Sequence, residues 1–500
     1  MQAKAINSIE SINPREGTAG KPLCVDLDGT LIQTDLVFEC LFMLARQNFL
    51  YLFCVPFWLL AGKASFKRRL AASIQFDPQE IPYNKDFLAW VEKQHTLGRY
   101  TVLATGSDAQ LASKIAGYLG CFDEVMASDG TNNLTSYSKR AALVGKFGAK
   151  GFDYAGNSSV DLPVWNDCDG SIVVEASPRT LQAARKAGSV SEVFPKREIT
   201  LKTWLRAARV HQWIKNLLVV LPFLASHQFS NGAAVKNILI LFFAFSACAS
   251  VTYIINDLLD LPSDRNHAIK SSRPFASGDL SIAQGLALAF GFAVLSFALA
   301  ACLPFSSRVV LAFYFLLTLS YSLWLKQKLI LDVIVLASLY TVRIVAGGVA
   351  THIRLSDWLI CFSLFMFLSL AMCKRSSELM NLLKAKKTRT MGRSYKTGDL
   401  EPLNICGICS GIMACLLILF YATSAQASLL YATPRLLYFL CPLLFYWISR
   451  LWVLTFRGDL KEDPILFAVH DRVSYVVCAG MILIAGLAAF VKIPLDRFLQ

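Results

Sequence analysis

The chain has 500 residues, 55% hydrophobic and only 17% charged; soluble domains carry about 25% charged residues, so many apolar side chains here must face something other than water. Lys and Arg number 49 against 35 Asp and Glu, a formal net charge of +14, which in so apolar a chain marks cytoplasmic membrane loops more readily than nucleic-acid binding. Disorder and a small disulfide-stapled secreted module are excluded, and the composition describes a membrane protein.

In chain order, residues 1–19 read as a flexible terminus without the apolar core of a signal peptide, which keeps the next domain, 20–195, in the cytosol. There KPLCVDLDGTLIQTD predicts an apolar strand ending in a DxDGT loop. Strand geometry points Asp26 and Asp28 to the same side, so that one carboxylate can attack phosphorus while the other acts as acid and base. A second strand, TVLATGSD, ends in Thr105 and Gly106; Lys139 follows in YSKRAAL, and FDYAGNSSVD carries Asn157 and Asp161. Between the first two motifs, over about 36–95, lies an apolar cap segment whose core, 48–62, is short for a membrane span and contains Pro56. It reads as a cap or re-entrant segment resting on the bilayer, since a span there would separate the catalytic residues.

Residues 196–210 predict an interfacial linker helix, with Leu201, Trp204, Leu205 and Ala208 at helical spacing among Lys and Arg. From 211 to 492 the chain is a succession of apolar segments, and nine are predicted to span: 212–228, 236–255, 283–304, 309–325, 329–350, 357–373, 403–425, 436–456 and 473–491. With the first domain inside, the inner loops carry 16 Lys and Arg and the outer segments six. That asymmetry predicts a cytoplasmic amino terminus and a carboxyl terminus outside. The fold class is therefore multidomain: an N-terminal α/β, Rossmann-like domain and a C-terminal all-α polytopic membrane domain of about nine helices.

Two inner loops carry unusual chemistry. In NDLLDLPSDRNHAIKSSRP, Asp257, Asp260 and Asp264 share one face of a helix and repel one another unless a divalent cation screens them. Oxygen-rich clusters of this kind suit Mg2+ holding a diphosphate; Asn256 adds an amide, and Lys270 and Arg273 add positive charge. The second, YSLWLKQKLILD, brings Tyr321, Lys326 and Asp332 to a junction of two spans. Arg343 follows about 16 Å further along the helix. A charge at that depth is costly and should face a polar cavity or an anionic partner.

The stretch from Asn256 to Asp264 resembles the first Asp-rich motif of the UbiA superfamily of intramembrane prenyltransferases, with a resemblance covering about 205–490. It implies nine helices and Mg2+ bound to a diphosphate. HQWIKN with Lys215, the 321–332 phrase, RIVAGG at 343–348, CKRSSEL at 373–379, RSY at 393–395 and EDP at 462–464 look like the decaprenyl-phosphate phosphoribosyltransferase branch. Where quinone- and haem-type members carry a second motif, DxxxD, this chain has Tyr321 and Lys326. The resemblance thus implies phosphoribosyl diphosphate (PRPP) as donor and a polyprenyl phosphate as acceptor, in a bacterial inner membrane, for cell-envelope polysaccharide precursors. Mg2+ on Asp257, Asp260 and Asp264 would neutralise the leaving pyrophosphate. Lys215, Asn256, Lys270, Arg273, Tyr321, Lys326, Arg343, Lys374 and Arg375 are the phosphate-binding candidates, undivided between the two substrates. The alternative is a prenyl diphosphate joined to an aromatic acceptor. No nucleic-acid partner is implied, and the oligomeric state stays open.

The 20–195 motifs, in their order, resemble the haloacid dehalogenase (HAD) phosphatase superfamily. The resemblance implies Asp26 as nucleophile, Asp28 as proton handler, Thr105, Gly106 and Lys139 as phosphate binders, and Mg2+ held with Asp161. Asn157 departs, standing where the family has an acid. A working phosphatase acting on the transferase product and a folded scaffold both remain open at this point.

Overall fold

The structure, a computed structural model, describes residues 20–196, 198–227, 230–267, 270–384, 393–460 and 463–492. The expected flexible terminus 1–19, Glu462 of EDP, and Lys386 and Lys387 of the basic 374–402 loop lie outside the described residues. The chain packs as two compact units. One is built from the chain up to Ala207 together with Asp257–Ala287, the other from Ala208–Asn256 and Leu288 onward.

The first unit is organised on a six-stranded parallel sheet: β1 (Leu23–Val25), β2 (Thr101–Asp108), β3 (Glu124–Ser128), β4 (Asp153–Gly156), β5 (Gly170–Val174) and β6 (Ser189–Phe194), in the order β3-β2-β1-β4-β5-β6. Both faces of the central strands are buried, as a parallel sheet requires. Leu23, Val25, Leu103, Ala155 and Val174 join one core, and their neighbours Cys24, Val102, Ala104, Tyr154 and Val173 join the other, the two-residue period of a strand. The strand order reverses between β1 and β4, and the carboxyl ends of these strands open the crevice where such sheets bind ligands.

Between β1 and β2 stand helices Leu36–Gln47, Lys63–Ala72 and Lys85–Thr96. Leu36, Cys40, Met43 and Leu44 are buried at helical spacing. The apolar run Leu50–Leu60 is a 3-10 turn followed by a six-residue helix, far below the ~20 residues that cross a bilayer. Leu50, Phe53, Phe57 and Leu60 are all exposed. The linker forms a helix over Leu201–Ala207, with Leu201 and Leu205 exposed.

Eight helices among the described residues are long and apolar enough to cross a membrane: Gly232–Leu259, Ile282–Ala301, Phe305–Leu323, Leu331–Thr351, Asp357–Lys384, Thr397–Ala422, Pro434–Arg457 and Arg472–Phe490. The first of the nine expected spans is not among them. Val210–Val220 winds as a 3-10 helix and Leu221–Ala225 follows as a single short turn with Pro222 near its start, so the pair has fewer residues than the ~20 of an α-helical span. It packs on Leu331–Thr351 at Gly347, where a Cβ would lie 2.0 Å from the Val219 carbonyl oxygen.

The expected single helical face of Asp257, Asp260 and Asp264 is broken. Gly232–Leu259 ends before Asp260, and Leu261–Arg265 starts a new helix with Pro262 at its head; a proline cannot donate the bond that would continue the first one.

Candidate functional sites

Asp26 follows the last residue of β1 and its backbone N–H donates to Ala155 of β4 (3.0 Å). Its Oδ1 accepts from Lys139 Nζ at 2.7 Å; Lys139 also donates to the Tyr154 hydroxyl (2.9 Å), which donates to Asp161 (2.9 Å). Asp161 Oδ2 in turn accepts from the backbone N–H groups of Asn157 and Ser158. Asp28 is fixed by the Leu36 N–H and the Ser107 hydroxyl, each at 2.8 Å. Burial pushes the Asp26 carboxyl up to about 7 even against the pull of Lys139, and burial raises Asp28 as well. Ser136 and Glu175 hold left-handed φ angles of 48° and 46°, the kind of backbone strain that gathers at functional sites.

These groups line one cavity of about 630 Å3, shared by Asp26, Asp28, Gly106, Lys139, Asn157 and Asp161. Thr105 is fully buried and its hydroxyl accepts the Ser107 N–H, so the cavity is lined by its neighbour Gly106. Sequence reasoning missed Tyr154, Ser107, Glu175 and Lys67. Tyr154 is visible in the sequence as an aromatic inside an otherwise small-residue strand end. Lys67, from the cap, donates to the Gly106 carbonyl at 2.6 Å and to Asn133 at 3.1 Å, contacts that depend on folding and leave no local signal. Asn157 lies over Gly29 (φ 71°), where a Cβ would meet its Nδ2 at 2.0 Å. The glycine is what lets that amide approach. Asp26, Asp28, Asp161 and Asn157 line one polar cavity, and carboxylate and amide oxygens are donors of the type Mg2+ accepts.

In the Asp-rich segment, Arg273 Nη1 lies 3.1 Å from Asp257 and 2.5 Å from Asp264. Burial raises the Asp264 carboxyl and Arg273 works against it. Asp260 lies past the end of the longer helix, at the head of the short one. Among the described residues no three His, Cys, Asp or Glu gather closely enough to hold a metal alone. Two carboxylates converging on one guanidinium nevertheless bring more negative than positive charge to that contact. That fits a magnesium ion completed by substrate oxygens and water.

The second unit contains three polar clusters. Lys215 and Lys374 each reach Asp463 Oδ2 at 2.9 Å; burial works to raise Asp463, and the two ammonium groups override it and hold it well below the usual carboxylate range. Sequence reasoning missed Asp463 as a site residue, although the EDP phrase at 462–464 is its signal. Arg375 pairs with buried Asp332 (2.6 Å), with Glu378 (2.6 Å) and with the Tyr321 hydroxyl (2.9 Å), and Tyr321 donates to Asp332 (2.7 Å). Arg343 gives its bonds to Asn216 Oδ1, the Leu339 carbonyl and the Tyr314 hydroxyl and lies over the Tyr314 and Tyr340 rings. Of the two surroundings expected for it, a polar cavity or an anionic partner, the anion is not what it meets: its partners are neutral oxygens and aromatic faces. Lys326 donates to Asn256 Oδ1 at 3.3 Å, while Lys270 opens a short 3-10 turn and is half-buried.

A set of long apolar helices joined to a parallel α/β domain, with acid and base clusters gathered at helix ends, defines a multi-pass membrane protein with an attached α/β domain. The profile of the UbiA prenyltransferase family matches residues 217–469, half of the chain, and the protein belongs to that family of membrane transferases. It is 36% identical over 465 residues to the uncharacterized protein y4nM of Sinorhizobium fredii, covering 92% of this chain and 89% of that one. It is 31% identical over 289 residues to the nodulation protein NoeC of Azorhizobium caulinodans, covering 57% of this chain and 93% of the relative. A match at 35% identity to the decaprenyl-phosphate phosphoribosyltransferase of Mycolicibacterium smegmatis extends over 181 residues, 35% of this chain and 56% of that enzyme.

Proposed function

We propose that the protein transfers 5-phosphoribose from PRPP to a polyprenyl phosphate of decaprenyl type, and that its α/β domain, which resembles HAD phosphatases, then removes the 5-phosphate. The observation that carries this reading is the Lys215–Asp463–Lys374 cluster: two ammonium groups 2.9 Å from one carboxylate oxygen are spaced to take an oxyanion in its place. The similarity to the mycobacterial enzyme supports the same reading.

In the transfer step, Lys215 and Lys374 hold the lipid phosphate, one of whose oxygens attacks the anomeric carbon of the ribose. The bond from that carbon to pyrophosphate breaks as the new bond forms, and pyrophosphate leaves. Magnesium held by Asp257, Asp260 and Asp264 would supply neutralisation of that pyrophosphate. In the second step the Asp26 carboxylate attacks the 5-phosphate, Lys139 holds the phosphoryl oxygens, and Asp28 protonates the departing sugar oxygen. Water then attacks the aspartyl-phosphate, giving its proton to Asp28, and inorganic phosphate leaves.

The test uses detergent-purified protein with Mg2+, ribose-labelled PRPP and a polyprenyl phosphate, following label into the organic phase and the mass of the product. Labelled lipid is expected, in forms with and without the 5-phosphate. EDTA-sensitive consumption of a prenyl diphosphate with no labelled lipid would replace this reading with the aromatic prenyltransferase.

A further inference from the structure

The cavity around Asp26, Asp28 and Lys139 is not closed by the α/β domain's own residues. Gly278, Asp279, Ser281 and Gln284, from beyond the Asp-rich segment, form part of its lining. Gly278 (φ 80°) lies so close to Gln33 that a Cβ there would fall 2.3 Å from Gln33 Oε1 and 2.9 Å from its Cβ. Upstream, Arg265 grips buried Glu39 with two nitrogens, at 2.6 and 3.1 Å, and donates to the Glu80 carbonyl at 2.8 Å. Leu280 and Ile282 are 2% and 3% exposed. The segment is thus built into this wall.

Lys67, Lys139 and Lys196 line the cavity together with Asp26, and Glu175 and Asp279 add further carboxylates to the same lining. Carboxylates repel phosphate and accept hydrogen bonds from hydroxyl groups. The volume, about 630 Å3, lies within the range of pockets that enclose small organic ligands. Ser281 and Gln284 form a reciprocal cap, Ser281 N–H to Gln284 Oε1 at 2.9 Å and Gln284 N–H to Ser281 Oγ at 3.2 Å. They head the Ile282–Ala301 helix, itself long and apolar enough to cross a membrane. The cavity wall therefore continues directly into the first turn of a candidate span.

We propose that this is a composite site, in which segment 278–284 selects a phosphomonoester on a polyhydroxy headgroup carried by a membrane lipid. The phosphate lies at the lysines, sugar hydroxyls meet Asp279 and Glu175, and the lipid end lies toward the head of the apolar helix. The proposal rests on the reading that Asp26 cleaves phosphomonoesters.

The test uses the full chain in nanodiscs and measures inorganic phosphate release from two substrates, the phosphoribosylated polyprenyl phosphate and p-nitrophenyl phosphate. Replacing one carboxylate that pairs with substrate hydroxyls should lower the kcat/KM ratio of lipid to aryl substrate roughly tenfold in Asp279→Ala. Asp279→Asn, which keeps the shape and one acceptor oxygen, should lower it less, and it carries the comparison if the alanine variant fails to fold. A wild-type protein active on both substrates whose variants keep the wild-type ratio overturns the composite site alone. A wild-type protein inert on both removes the phosphatase reading, and the composite site with it.

Discussion

Asp463 holds two lysines at once, and its removal tests both stability and binding. Asp463→Ala leaves two ammonium groups facing each other where one is 7% exposed, a loss of about 3 kcal/mol, read as a lower thermal midpoint in detergent. Because the folded Asp463 titrates below its ordinary range, its stabilisation is complete above the unfolded value, about 4, and fades as the pH falls through the folded one. The gap between wild type and variant is therefore expected to be constant above about pH 5 and to narrow in acid. In the α/β domain, Asn157→Asp adds a negative charge beside Asp26, Asp28 and Asp161. Phosphate release should then saturate at several-fold lower Mg2+; an unchanged requirement would show that position 157 does not reach the ion. Asp26→Asn removes the carboxylate proposed to attack phosphorus, so the phosphorylated lipid product should accumulate at the expense of the dephosphorylated one. An unchanged ratio between the two would uncouple the domain from the transferase.

Among the elements, the short Val210–Ala225 segment and the Leu331–Thr351 helix depend on one close approach. Gly347→Ala would set a methyl 2.0 Å from a backbone carbonyl that cannot rotate away, costing about 1–3 kcal/mol of overpacking. Gly291, where an added Cβ would meet nothing within 4 Å, is the control, and Gly291→Ala should leave the thermal midpoint within a degree or two. The elements also mark where the sequence is legible. Strand ends and their motif residues are readable because period-two burial and a DxDGT loop are local signals. The long apolar helices are readable by length. The first expected span takes the form of a 3-10 helix followed by a short turn at Pro222, a winding that apolar composition alone does not reveal. The shared Asp face fails because spacing assumes an unbroken helix, and Pro262 breaks it. Depth alone makes Arg343 look like an anion binder, while its partners Asn216 and Tyr314 come from distant segments that no local pattern joins.

For the molecule as a whole, the division into two units does not follow the sequence boundary near residue 207. Asp257–Ala287 lies between stretches of the second unit in the chain, yet it packs with the first, held by Arg265 on Glu39 and by Gly278 on Gln33. A chain begun at residue 208 should therefore still make its long helices while showing the proposed phosphoribosyl transfer reduced by at least tenfold, since Arg265 would have lost the Glu39 carboxylate. Restoration of transfer by adding the separate 1–207 fragment would show that the partner surface itself is what was missing. The Glu39–Arg265 grip also constrains how such a gene can change. A mutation at Glu39, in the domain that carries the DxDGT loop, is felt next to Asp264, in the Asp-rich segment. A change at Glu39 therefore calls for a matching change at Arg265.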